Sequence, residues 1–239
     1  MSGLTVELDL QGAPCGVIGG GHLGLRRVVS FLNAKANVTV ISPVLTDDLR
    51  ALVEEGRIEW ESRAYMPGDA TRFMIVVAAT DDPEVNAKIA LEAKRGDRFV
   101  QVVDRPQLGT VHVGARYIDT PLTVAVMTGG ASPLAARVLA QYLGSKLPAD
   151  LPAMLTLLGK ARSDVLASDL PLDQRRAVLR DIATDASIRQ YLNGDKEAVA
   201  RQMGQALSKV GRSLSEIHSI REITSCESPN GTDRATPIL

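Results

Sequence analysis

"GVIGGGHLGLRR", Gly16 to Arg27, decides the fold of this 239-residue chain. Gly19, Gly21 and Gly24 stand in the spacing G-x-G-x-x-G. An apolar run, Cys15 to Ile18, enters the glycines, and Leu25, Val28, Val29 and Leu32 follow at helical spacing. The pattern is therefore a strand, a tight turn and a helix. Glycine permits that turn and lets the backbone approach a diphosphate. The helix N-terminus offers free N–H groups and partial positive charge to the anion. A glycine-rich turn with no ligand is the plainer reading, and the flanking strand and helix favour a dinucleotide.

Outward from the loop, strands and helices alternate. "NVTVIS", from Asn37, reads as a second strand. "TDDLRALVEEG" reads as a helix with a Thr/Asp cap, and "RIEWESR" alternates like a half-buried strand. "FMIVVAAT" is continuously apolar, as in a strand covered on both faces. "DDPEVNAKIALEAKRG" has an Asp cap, a Pro suited to the first turn and a terminal Gly. "FVQVVD" is a further buried strand. This order predicts a Rossmann-like, right-handed, doubly wound parallel sheet over residues 1–110. After Asp104 two strands follow without a helix between them, Val111 to Tyr117 and Leu122 to Met127, so they are expected to pair antiparallel within a segment 111–149. Ser132 to about Ile223 reads as helix, broken at "LPADLP" and "ASDLPLD", with a helical domain over 150–223. Residues 224–239 are polar and rich in turn formers, and a disordered tail is expected. The fold class is thus α/β, with central antiparallel strands and a C-terminal helical part.

Composition narrows the function. Aromatics are 3% of residues and the net charge is −1. Neither a stacking platform nor a global field for nucleic acid or anionic membrane is present. No stretch approaches the roughly 20 apolar residues of a membrane span. The N-terminus has no basic segment before an apolar run, so no secretory signal is expected. Cys15 and Cys226 are far apart, which fits free thiols in a reducing cytoplasm. No Cys/His cluster suggests a resident metal. The acid that usually grips a ribose at the end of the second strand is missing. Ser42 and Pro43 stand there, and Asp47 and Asp48 come later. No arginine there would take a 2′-phosphate, so NAD is expected over NADP by default. Arg26 and Arg27 read as a solvated helix face.

The segments "VIGGG" followed by "RR", "VTVISP", "VVAATDDPEVN", "VQVVD" and "PLTVAVMTGGASPLAAR" together resemble the precorrin-2 dehydrogenase family of siroheme synthesis. The resemblance covers roughly residues 4–150. It implies oxidation of precorrin-2 to sirohydrochlorin, with NAD as hydride acceptor, in a homodimer built on the central segment. The chain resembles the family's free-standing members, without a second methyltransferase unit. The resemblance also places the cofactor against Gly19, Gly21, His22, Leu23, Gly24, Ser42, Pro43, Val44 and Thr80.

Asp104 aligns with the family's essential aspartate, at the sheet edge where ligands of this architecture sit. A carboxylate there can accept a proton. Capping the turn before Pro106 is the competing reading. Thr128, at the "GG" turn, Ser132, a cap candidate followed by Pro133, and Arg137 are candidate contacts for the polycarboxylate substrate. Arg105, Arg116 and Lys146 are further cations. His112 stands where the family commonly differs, and reads as an acid/base group, a metal ligand or a strand histidine. Two other functions stay open: added ferrochelatase activity in the same cleft, and a non-catalytic nucleotide-binding regulator.

Overall fold

The computed structural model describes residues 3–210. They form two compact units, dividing between Val113 and Gly114. Residues 211–239, with the expected tail and Cys226, lie outside the described residues.

In the first unit, β1 (Pro14–Ile18), β2 (Asn37–Ile41), β3 (Glu59–Glu61), β4 (Ile75–Ala78) and β5 (Phe99–Val102) make one parallel sheet in the order β3-β2-β1-β4-β5. This is the doubly wound order, which reverses between β1 and β4. Side chains alternate across the pleat, so each apolar strand feeds two cores. Val17, Val40 and Val77 meet Val28 and Phe31 of α1 (His22–Asn33) and Leu49 of α2 (Asp47–Glu54). Ile18, Ile41, Val76 and Val100 meet Ile89, Ala90 and Ala93 of α3 (Pro83–Arg95). Covering both faces explains why these strands read as unbroken apolar runs.

Three expectations shift. The "RIEWESR" strand shortens to Glu59–Glu61, because only those residues pair with β2. β5 stops at Val102, so Asp104 lies two residues beyond the strand. The first central strand, β6, is Ala115–Asp119 instead of Val111 to Tyr117. Its partner β7 (Leu122–Val126) is tied to it from Asp119↔Leu122 to Ala115↔Val126, which exhausts the pairing. The chain before it turns back on β5, where Thr110 and Val111 donate their N–H groups to the Val100 carbonyl.

The second unit begins with the β6–β7 hairpin. α4 (Pro133–Ser145) packs on it through Ala136, Ala140 and Gly144, and Gly144 leaves room for the Tyr117 ring. α5 (Leu151–Ala167), α6 (Leu172–Asp181), α7 (Asp185–Leu192) and α8 (Ala198–Ser208) follow. Leu157, Ala161 and Val165 form a stripe of α5 that packs with Val178 and Met203. The helical stretch has two breaks beyond those expected, at 182–184 and 193–197. No helix among the described residues is long and apolar enough to cross a membrane.

Candidate functional site

The candidate site lies at the C-terminal edge of the parallel sheet, where the strand order reverses. Gly19 follows β1 with φ +124°, and its carbonyl lies 2.4 Å from where a Cβ on Gly24 would stand. A Cβ on Gly19 itself would lie 2.2 Å from the Ala79 carbonyl oxygen. Both glycines are therefore required by the packing of the chain on itself. Gly21 differs. It has ordinary extended backbone, and a Cβ there would meet nothing within 4 Å. The space over Gly21 is open, as approach by a ligand demands.

Gly21 caps α1 without a side-chain bond, and no acid stands in the first turn. The first intrahelical bond is Leu25 N–H to the Gly21 carbonyl. The N–H groups of His22, Leu23 and Gly24 thus precede the helix ladder and fit a diphosphate. His22 and Leu23 are exposed, as are Pro43 and Val44 in the loop after β2. Thr46 N–H donates to the Gly20 carbonyl at 3.0 Å, fastening that loop to the glycines. Ser42 is buried, and its hydroxyl donates to the Val44 carbonyl at 2.7 Å. Its role here is to shape the loop. Asp47 and Asp48 fall in the first turn of α2, so no carboxylate stands at the end of β2.

On the other side of β1, Thr80 follows β4. Its N–H and hydroxyl donate to Asn86 Oδ1 at 3.1 and 2.8 Å. Asn86 Nδ2 donates to the Thr80 carbonyl at 3.0 Å and to Asp104 Oδ1 at 2.9 Å. Asp104 Oδ2 lies 3.4 Å from Arg105 Nε, which makes no hydrogen bond. The Asp104 side chain is 35% exposed. The 3-10 turn that follows, Pro106–Leu108, has Arg105 as its cap residue and no side-chain cap bond. Asp104 is therefore bound to α3 and does not cap that turn.

Arg105 is not a free cation either. Its guanidinium donates to the Pro83 carbonyl and reaches Glu84 at 4.0 Å. His112 is exposed in the loop before β6, so it is not a strand histidine. Thr128, Ser132 and Arg137 belong to the second unit. Thr128 Oγ1 accepts from Ser132 N–H at 3.3 Å, and Ser132 caps α4 by accepting from Ala135 N–H. Arg137, Arg116 and Lys146 are exposed, the last over the Tyr142 ring. Among the described residues no three His, Cys, Asp or Glu side chains converge on a metal site.

Residues 6–115 match the family described as "Putative NAD(P)-binding". That match covers the glycine loop and Asp104 alike. The siroheme synthase of Methylobacillus flagellatus is 35% identical over 91% of this chain, and that of Actinobacillus pleuropneumoniae serotype 7 is 34% identical over 80%. The chain is thus similar to siroheme synthases over most of its own length. It spans 46% and 39% of the length of these two relatives. The solved structure of SirC, a precorrin-2 dehydrogenase, superposes with a TM-score of 0.67 over 85% of this chain and 98% of its own. At 24% identity that likeness establishes the fold. Nearly all of the matched stretch falls in the first unit, which carries the glycine loop and the α1 N-terminus.

Asn86 is the site residue that the sequence reading passed over. A signal was present. Asn86, Ile89, Ala90 and Ala93 share one helical stripe, and a polar residue on an apolar stripe needs a partner.

Proposed function

We propose that this chain oxidises precorrin-2 to sirohydrochlorin with NAD. The observation that carries the reading is the Asp104 carboxylate. It is partly exposed at the ligand edge of an NAD(P)-binding sheet and held by a buried amide. Similarity to the siroheme synthases supplies the substrate class.

When bound, NAD supplies the hydride acceptor. The N–H groups of His22, Leu23 and Gly24 would hold its diphosphate, and Gly21 would admit it closely. The exposed Leu23 and Val44 offer apolar surface beside it. Two hydrogens leave the macrocycle. One departs as hydride with its electron pair, and Asp104 takes the other as a proton. Arg137 is a cation suited to a substrate carboxylate, and Thr128 and Ser132 shape the N-terminal turn of α4 before it. His112 is exposed and serves as a further contact of the substrate.

The active form is a homodimer. Leu134, Val138 and Tyr142 of α4 are 61%, 57% and 55% exposed, with Leu139 and Leu143 beside them. A two-stranded hairpin is marginal alone, and a second copy would cover this helix face and extend the strands. The reaction takes place in the cytoplasm. Cys15 is a free thiol inside β1, as is common in a reducing compartment.

The test is turnover of precorrin-2 with NAD, followed as NADH and sirohydrochlorin. Asp104→Asn keeps the shape and the place of the hydrogen bond but cannot take a proton. Turnover is expected to fall ~10²–10⁴-fold with NAD affinity retained. Near-wild-type turnover would remove Asp104 from the mechanism.

A further inference from the structure

We infer that Asn86 is a positioning residue that decides which oxygen of Asp104 accepts the proton. The inference rests on the reading of Asp104 as the base.

Asn86 is 1% exposed, inside an apolar helix stripe where asparagine has poor helix propensity. Its amide is fully satisfied, with two bonds accepted and two donated. The orientation of that amide is not a matter of choice. Thr80 N–H can only donate, so it requires Oδ1, and the Thr80 carbonyl can only accept, so it requires Nδ2. The remaining N–H of Nδ2 must then point at Asp104 Oδ1, 2.9 Å away. That oxygen is engaged as the acceptor of the Asn86 N–H. Oδ2 is left as the basic atom.

Oδ2 is in ion-pair range of Arg105 but accepts no hydrogen bond from it. Arg105 Nε lies 3.4 Å away without a hydrogen bond, and the rest of that guanidinium faces the Pro83 carbonyl and Glu84. Three of the four Asn86 bonds serve the turn after β4. The fourth joins it to the loop after β5, eighteen residues along the chain. A side chain needed only for the turn would not require that fourth bond.

Asn86→Asp keeps the size and the acceptor for Thr80 but sets a second carboxylate against Asp104. Two carboxylates sharing one site retain a proton, and that proton must leave before Asp104 can accept another. The ratio of variant to wild-type kcat/KM is expected to rise at least ~10-fold between about pH 6.5 and 9. In the chain without ligands, the unfolding midpoint of the variant should fall relative to wild type as pH rises above about 4. There the folded pair still binds a proton that the unfolded carboxylates have lost. Asn86→Ala is the second variant, with kcat at saturating NAD expected to fall at least ~10-fold. A ratio independent of pH, or wild-type kcat in Asn86→Ala, overturns the role of Asn86. If Asp104→Asn is inactive in the same assay, that result leaves the base assignment standing. If Asp104→Asn is active, the base assignment itself fails.

Discussion

At the scale of single residues, the glycine loop divides its duties. Gly19 and Gly24 are glycine because backbone atoms of the same chain occupy the space of a side chain. Gly21 has no such reason within the chain, and the proposed diphosphate site supplies one. Gly21→Asp is therefore expected to fold with a stability within about 1 kcal/mol of wild type. NAD binding should be abolished, because a side chain and a negative charge then meet the diphosphate. Titration with NAD and thermal unfolding on one preparation check both halves. Binding at wild-type affinity would move the diphosphate elsewhere. The spacing of the glycines was legible in the sequence. Their different roles were not, because these depend on where the Ala79 and Gly19 carbonyls come to rest. Asp104 was legible as a candidate, whereas its bond to Asn86 needed the fold.

At the scale of elements, local signals set the helix starts. Asp82 accepts from Glu84 and Val85 N–H groups, and Pro83 occupies the first helical position, as the sequence implies. Thr46 stands at the start of α2 but makes no cap bond, and its buried hydroxyl lacks a partner. The connection from β3 to β4 is held differently, by charge. Arg63 grips the buried Asp69 carboxylate at both oxygens, at 2.7 and 2.8 Å, and Met66 N–H adds a third bond. Arg63 holds the Asp69 carboxyl below its usual range. Its contribution to stability is thus fully present above the unfolded value of about 4. It is lost as pH falls through the lower folded value. Asp69→Asn is expected to cost about 1–2 kcal/mol at neutral pH, the lower part of the range because Arg63 is about a third exposed. Its stability should also fall less steeply than wild type below about pH 4. Urea unfolding across that range measures both. Nothing in the local sequence pairs Arg63 with Asp69, since no regular element spans them.

At the scale of the whole molecule, the proposed homodimer rests on the apolar face of α4 and the hairpin. Val138→Glu puts a charge at the middle of that face, where it points away from the Ala136, Ala140 and Gly144 stripe. The variant is expected to run as a monomer in light scattering at micromolar concentration, with its unfolding midpoint little changed. A wild-type monomer under the same conditions would refute the dimer. The sequence by itself determined the order of strands and helices, the glycine loop, the caps of α3 and α4 and the antiparallel hairpin. Those follow from hydrophobic period and turn chemistry, which act over a few residues. Tertiary structure alone decided that α1 and α2 cover one face of the sheet and α3 the other. It also ended β5 before Asp104, began β6 at Ala115 and brought Asn86 to Asp104. Such features arise where distant segments compete for the same backbone partners and the same buried volume, and no short stretch of sequence contains both competitors.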